Sequence, residues 1–251
     1  MDTYDYRARH LPVVLAGLPV LWTLAIVIVD FGLSLSWPLL TASGVTAAVF
    51  MLFGRFARAK GREVQVNLSK DWGGMPATAM LRHRDTRLNP HTKALYHERI
   101  RALGQPFRMP TREEEDVDPA SADNLYGAAV DELRRRAKAG DNKAVARENV
   151  GYGFARNLYG LKPYALGLAG LCFIALAALA LWRSGGALAA VRPIDALALA
   201  ALVGYAGVFA LIVTPSFVRH HAEGYSAALL ETAATLPARP RRTKSKSTDP
   251  A

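Results

Sequence analysis

The stretch Glu148–Trp182, ENVGYGFARNLYGLKPYALGLAGLCFIALAALALW, decides the fold. Its second half, from Pro163 to Trp182, contains no Asp, Glu, Lys or Arg. A helix crosses a hydrocarbon core of about 30 Å in roughly 20 residues, and backbone amides in lipid must bond internally, so this run reads as a membrane-spanning helix. Leu11–Val29, Phe31–Gly54 and Ala196–Val218 are equally free of charge. The chain of 251 residues therefore reads as four transmembrane helices in two hairpins, and these blocks reconcile a 51% hydrophobic composition with a net charge of +10. The first run is too long for the apolar core of a signal peptide and reads as an anchor. The lone Cys172 lies inside the third span and excludes a disulfide framework or a cysteine zinc site.

Charge sets the orientation. The links between the paired spans hold only Asp30 on one side and Arg183, Arg192 and Asp195 on the other. Most of the 31 Lys and Arg residues lie between Arg55 and Lys162, with Arg55, Arg58, Lys60 and Arg62 directly after the second span. By the positive-inside rule the termini and the middle segment are cytoplasmic. The expected organisation is a cytoplasmic N-terminus at 1–10, a transmembrane hairpin at 11–54, a sensing domain at 55–162, a second hairpin at 163–218 and a basic tail at 219–251. The end of that tail, LPARPRRTKSKSTDPA, is expected to be disordered from about residue 237, and its cations suit anionic lipid headgroups.

The inserted domain reads as small, mostly helical and α+β. REVQVNLS alternates through Val64, Val66 and Leu68, which predicts a strand. DWGGMP then reads as a turn, and ATAMLRH as the returning strand. Asn89-Pro90 opens a helix that Gly104 closes, placing Lys93, His97 and Arg101 on one face. Thr111 and Glu114 have capping-box spacing. After Asp118-Pro119, the residues Ala122, Leu125, Tyr126, Ala129, Leu133 and Ala137 recur at three and four, an amphipathic pattern ending at Gly140. A further helix starts near Asn142 and leads into the third span.

On that helix Gly153 and Gly160 lie seven apart, with Asn149 and Arg156 along the same stripe. Each glycine costs a helix about 1 kcal/mol relative to alanine, so a close approach by another backbone is the reason to keep both. Tyr152, Asn157 and Pro163 complete an expected coupling elbow between the sensing domain and the third span, where proline removes one helical donor. An aromatic belt with cationic anchors is the competing reading of this boundary.

The sequence contains no grouping of nucleophile and base, no metal spacing around His83, His91 or His97, and no Lys-Ser/Thr after GGMP to form a phosphate loop. Enzymatic activity, a cofactor and a metal are not expected. The cations do suggest chemistry. Arg82, Arg84 and Arg87, the Lys93, His97 and Arg101 face, and Arg134 and Arg135 together suit an anionic ligand such as a nucleotide or single-stranded oligonucleotide. Tyr96, Tyr126 and Trp72 are available to stack a base. The spans are rich in Ala and Gly, which suits close helix packing, and a pore would need several copies around a symmetry axis.

DWGGMPATAMLRHRDTRLNPHTKALYHERI, PTREEEDVDPASADNLYGAAV and ENVGYGFARNLYGLKP resemble a family of bacterial membrane proteins encoded in anti-phage defence loci, in particular the membrane effector of Hailong-type systems. The resemblance covers roughly Trp72 to Pro163 with the flanking spans. It implies a homo-oligomeric channel, with a tetramer as the working expectation, and a nucleotidyltransferase encoded nearby. The partner's oligonucleotide product would hold the channel closed until infection, when it depolarises the membrane. In related systems a nucleotide opens the effector instead, and the sign stays open. The family phrase usually has two cations before the boundary Asn; here Ala155 stands in the first position and leaves Arg156 alone. A non-conducting scaffold that docks a protein partner is the alternative function.

Overall fold

The computed structural model describes residues 6–30, 44–104 and 107–235. All its regular elements there are helical. A π-helical turn at Tyr6–His10 leads into α1 (Leu11–Asp30), followed by α2 (Gly44–Asp71), α3 (Pro76–Leu81) and α4 (Pro90–Arg101). Then come α5 (Arg112–Val117), α6 (Pro119–Ala139), α7 (Lys143–Arg183), α8 (Pro193–Leu211) and α9 (Pro215–Ala234). Among the described residues, three helices are long and apolar enough to cross a membrane: Tyr6–Asp30, Lys143–Arg183 and Pro193–Leu211. The expected second span falls mostly outside the described residues, and so does the basic tail from residue 236 onward.

Two expectations need correction. The described residues form no strand, so the α+β reading does not hold. REVQVNLS lies within α2, because its two-residue alternation covers only a few positions of a longer helical repeat. Ala57, Gly61 and Leu68 are buried, spaced by four and seven along one helical face. ATAMLRH contributes to α3, where Pro76 occupies the first turn and Ala, Met and Leu are strong helix formers. The fourth apolar run also stops short of Val218. Its helix ends at Leu211, and α9 begins at Pro215, with the Phe217 amide donating to Thr214 Oγ1 at 3.3 Å.

The expected helix boundaries around α4 to α7 are present. Asn89 accepts from the His91 amide, Thr111 and Glu114 form a reciprocal capping box, Asp118 accepts from the Ser121 amide, and Asn142 accepts from the Ala144 and Val145 amides. Each side chain satisfies a donor that the first helical turn leaves open. The GG turn is also present, with positive φ at Gly73 and Gly74. Of the apolar stripe on α6, Ala122, Tyr126, Ala129, Leu133 and Ala137 are buried and Leu125 is half-buried.

The chain divides into two compact units: residues 1–72 with 147–225, and residues 73–146 with 226–251. In the first, α7 runs through Pro163 without interruption. Ala16, Ala57, Leu158, Leu161, Ala165, Phe209 and Val213 form one apolar cluster, and Cys172, Leu176, Ala198 and Leu202 form another. Pro19 lies inside α1 and cannot donate to the Leu15 carbonyl. Tyr205 of α8 does so in its place, its hydroxyl lying 3.0 Å from Leu15 O and 3.3 Å from Ala16 O.

Candidate anion-binding cleft and the helix node

The 73–146 unit is built around irregular chain whose backbone groups need partners. Arg82 forms a two-pronged ion pair with Asp123, at 2.7 and 2.8 Å, and donates to Gly73 O at 2.7 Å. A Cβ at Gly74 would meet Arg82 Nη2 at 2.9 Å, so this glycine supplies space as well as its positive φ. Glu115, only 1% exposed, accepts from the His83 amide and the Tyr126 hydroxyl, each at 2.7 Å. Burial would raise its carboxyl pKa, but the bonds from Tyr126 and the His83 and Arg84 amides hold it below the usual range.

The face carrying Lys93 and His97 turns inward, contrary to the expected exposed basic face. Lys93 donates to Arg82 O at 2.6 Å and to Asp85 O, clamping the 82–89 connection onto α4. Burial lowers its pKa. His97 Nε2 lies 2.8 Å from Leu81 O, and burial pushes its pKa down to about 4, so its ring is neutral at pH 7. Its ring packs edge-on against His83, with centroids 5.0 Å apart. His83 Nε2 lies 3.0 Å from Pro110 O. Tyr96 and Tyr126 are buried as well, so neither offers a face for a base to stack on.

These contacts frame a cleft of about 480 Å³. Lys93, His97 and Arg101 line it together with His83, Asp85, Thr86 and Arg112, and Leu88, Pro90 and Ala94 add apolar wall. The other sequence-predicted cations are not among its lining residues. Arg82 is committed to Asp123, and Arg87 to Asp85 at 2.6 Å. Arg84 lies 3.9 Å from Glu115, Arg134 pairs with Asp131, and Arg135 with Glu132. Arg101 is exposed and spends only Nε on the His97 carbonyl, at 3.3 Å. Arg112 is exposed and pairs with no carboxylate among the described residues. Sequence reasoning missed Arg112 because it sits beside three glutamates; the signal was a helix-start cation whose acidic neighbours are used in capping and in the core. The described residues hold no group of three His, Cys, Asp or Glu able to bind a metal.

The boundary stretch on α7 belongs to the other unit and forms a packing node. Asn157, 1% exposed, donates to Ala8 O of the π-helical turn at 2.7 Å. Its amide oxygen sits where a Cβ on Gly61 would stand, 1.9 Å away. A Cβ on Gly160 would lie 2.8 Å from the Lys60 carbonyl carbon and 3.0 Å from the Gly61 nitrogen, so α7 and α2 meet backbone to backbone there. Arg156 bonds Gln65 and lies 5.4 Å over the Tyr152 ring, which stacks on Tyr225 at 6.1 Å. Gly153 is buried, Asn149 half-buried and Pro163 exposed. Close packing thus accounts for Arg156, Asn157 and Gly160, which an aromatic belt leaves unexplained.

At the other end of α7, Arg183 and Arg192 bracket Asp30 and Asp195. Arg183 lies 2.7 Å from Asp30 and 3.4 Å from Asp195, while Arg192 reaches both carboxylates at 3.0 and 2.8 Å. These four residues carry all the charge of the short links, and their side chains join the end of α1, the end of α7 and the start of α8. Comparison with family models, curated proteins and solved structures finds no match for the chain.

Proposed function

We propose that this protein is a ligand-gated, homo-oligomeric membrane effector of bacterial anti-phage defence. Its 73–146 unit senses a phosphate-bearing nucleotide or oligonucleotide, and its apolar helices form an ion-conducting path that depolarises the inner membrane. The observation carrying this reading is the cleft, where no described carboxylate engages the guanidinium groups of Arg101 and Arg112, in a unit distinct from the one holding the three span-length helices of the described residues. Guanidinium groups uncommitted to protein carboxylates are suited to bidentate phosphate recognition. The resemblance of three sequence phrases to defence effectors supplies the biological setting, with a nucleotidyltransferase as the expected source of the ligand.

The chain passes between the units at Trp72–Gly73, Ala146–Arg147 and Tyr225–Ser226, the last two crossings lying inside α7 and α9. A ligand that binds one arrangement of the sensing unit more tightly shifts the helices through these connections. The test is ion flux from liposomes reconstituted with the full chain, with and without nucleotides. Ligand-dependent flux that Arg101→Glu/Arg112→Glu removes is the expected result. Absence of flux under every ligand condition would leave a scaffold and overturn the channel reading.

A further inference from the structure

We infer that the group recognised in the cleft is a phosphomonoester, a terminal phosphate on an organic body, rather than the internal phosphodiesters of a strand. This rests on the cleft being the ligand site proposed above. The cleft is lined by Lys93, Arg101 and Arg112 against one carboxylate, Asp85, which Arg87 already engages. The Lys93 ammonium is held by two backbone carbonyls, which leaves two guanidinium groups for the ligand. A phosphomonoester carries a charge of about −1.5 to −2 at neutral pH and three acceptor oxygens, enough to engage two such forks at once.

Size and lining point the same way. A cleft of about 480 Å³ is in the range of compact organic ligands, roughly 300–1,000 Å³. Proteins that track single strands instead use extended grooves covering about 4–16 nucleotides, with aromatic faces for successive bases. Here Tyr96 and Tyr126 are buried, and the wall offers the aliphatic surfaces of Leu88, Pro90 and Ala94. That surface gives an organic phosphate an advantage over inorganic phosphate.

A soluble nucleotide and the headgroup of phosphatidic acid share this chemistry. The experiment uses the full-length protein in detergent, titrated with 5′-AMP, adenosine, inorganic phosphate, and a short DNA strand with or without a 5′-phosphate. The variants are Arg101→Gln, Arg112→Gln and, as a control on a cation that does not line the cleft, Arg84→Gln. We expect 5′-AMP to bind at least about tenfold more tightly than adenosine or inorganic phosphate. The 5′-phosphorylated strand is expected to exceed its unphosphorylated counterpart by a similar factor. Arg101→Gln and Arg112→Gln should each lose about tenfold, and Arg84→Gln less than about twofold. Displacement of 5′-AMP by nanodiscs containing phosphatidic acid, but not phosphatidylcholine, would assign the phosphomonoester to lipid; no displacement would assign it to a soluble ligand.

Equal binding of the strand with and without its terminal phosphate, still lost in Arg112→Gln, would overturn the phosphomonoester and leave the cleft standing. If none of the phosphate-bearing probes binds, the cleft reading itself falls.

Discussion

Polar side chains do different work in the two units. In the unit of long helices they run from one helix or helical turn to another: Asn157 to Ala8, Tyr205 to Leu15, Arg183 to Asp30 and Asp195, and Arg192 to Asp30. In the 73–146 unit they hold irregular chain: Glu115 to the His83 and Arg84 amides, Lys93 to the Arg82 and Asp85 carbonyls, and His97 to the Leu81 carbonyl. A long helix satisfies its own backbone, so its polar side chains are free to fix register. Connections such as 82–89 have amides and carbonyls without regular partners, and buried side chains must supply them. The price is that titratable groups sit inside the smaller unit, and the exposed arginines left over are the ones at the cleft.

The largest expected effect strikes the charged cluster. Asp195→Ala leaves Arg183 and Arg192 with only Asp30 between them, and the thermal midpoint of the detergent-solubilised protein should drop by on the order of 10 °C. An unchanged midpoint would mean that the apolar contacts alone fix the helices at that end. Acid should separate the units next. His97 has a folded pKa of about 4 against an ordinary 6.5, so the unfolded chain binds the extra proton between those values. The stabilisation is present above pH 6.5 and is lost as pH falls through about 4, a change of up to about 3 kcal/mol. Glu115, with its lowered pKa, adds to the loss at the acidic end. Hydrogen exchange across residues 73–104, corrected for intrinsic rates, should show this weakening, and His97→Gln should flatten it between pH 6.5 and 5.

A smaller effect belongs to the node. Gly160→Ala forces α7 from the Lys60–Gly61 backbone and should cost about 2 kcal/mol, measured by unfolding in detergent. Insensitivity there would show that the two helices can part without loss. The smallest is Tyr205→Phe, which withdraws one hydroxyl from the Leu15 carbonyl and should cost about 1 kcal/mol by the same measurement.

Much of this architecture was legible in the sequence. Charge-free runs marked three helices that the described residues contain, and Asn89, Thr111, Asp118 and Asn142 marked helix starts, because both signals are local. The glycine pair of the boundary stretch pointed to close packing for a steric reason, though only the fold identifies Lys60 and Gly61 as what approaches Gly160. Burial was less legible. A lysine and a histidine four apart read as a solvated face, and nothing in their spacing shows that the carbonyls of Arg82, Asp85 and Leu81 await them. Val64, Val66 and Leu68 misled for a different reason: a short alternation fits both periods, and the longer run through Ala57 and Gly61 decides for the helix. Arg112 was hidden by its acidic neighbours until Glu114 and Glu115 were seen to be engaged elsewhere.

The Tyr205 hydroxyl has a meaning beyond its small energy. Pro19 creates a vacancy in one membrane rod, and a phenol on another fills it, so neither substitution can be judged alone. With Pro19 replaced by alanine, the amide returns to Leu15 and the phenol is no longer needed to satisfy that carbonyl. The two positions therefore act as one energetic unit, and a double-mutant cycle of Pro19→Ala with Tyr205→Phe would read their coupling.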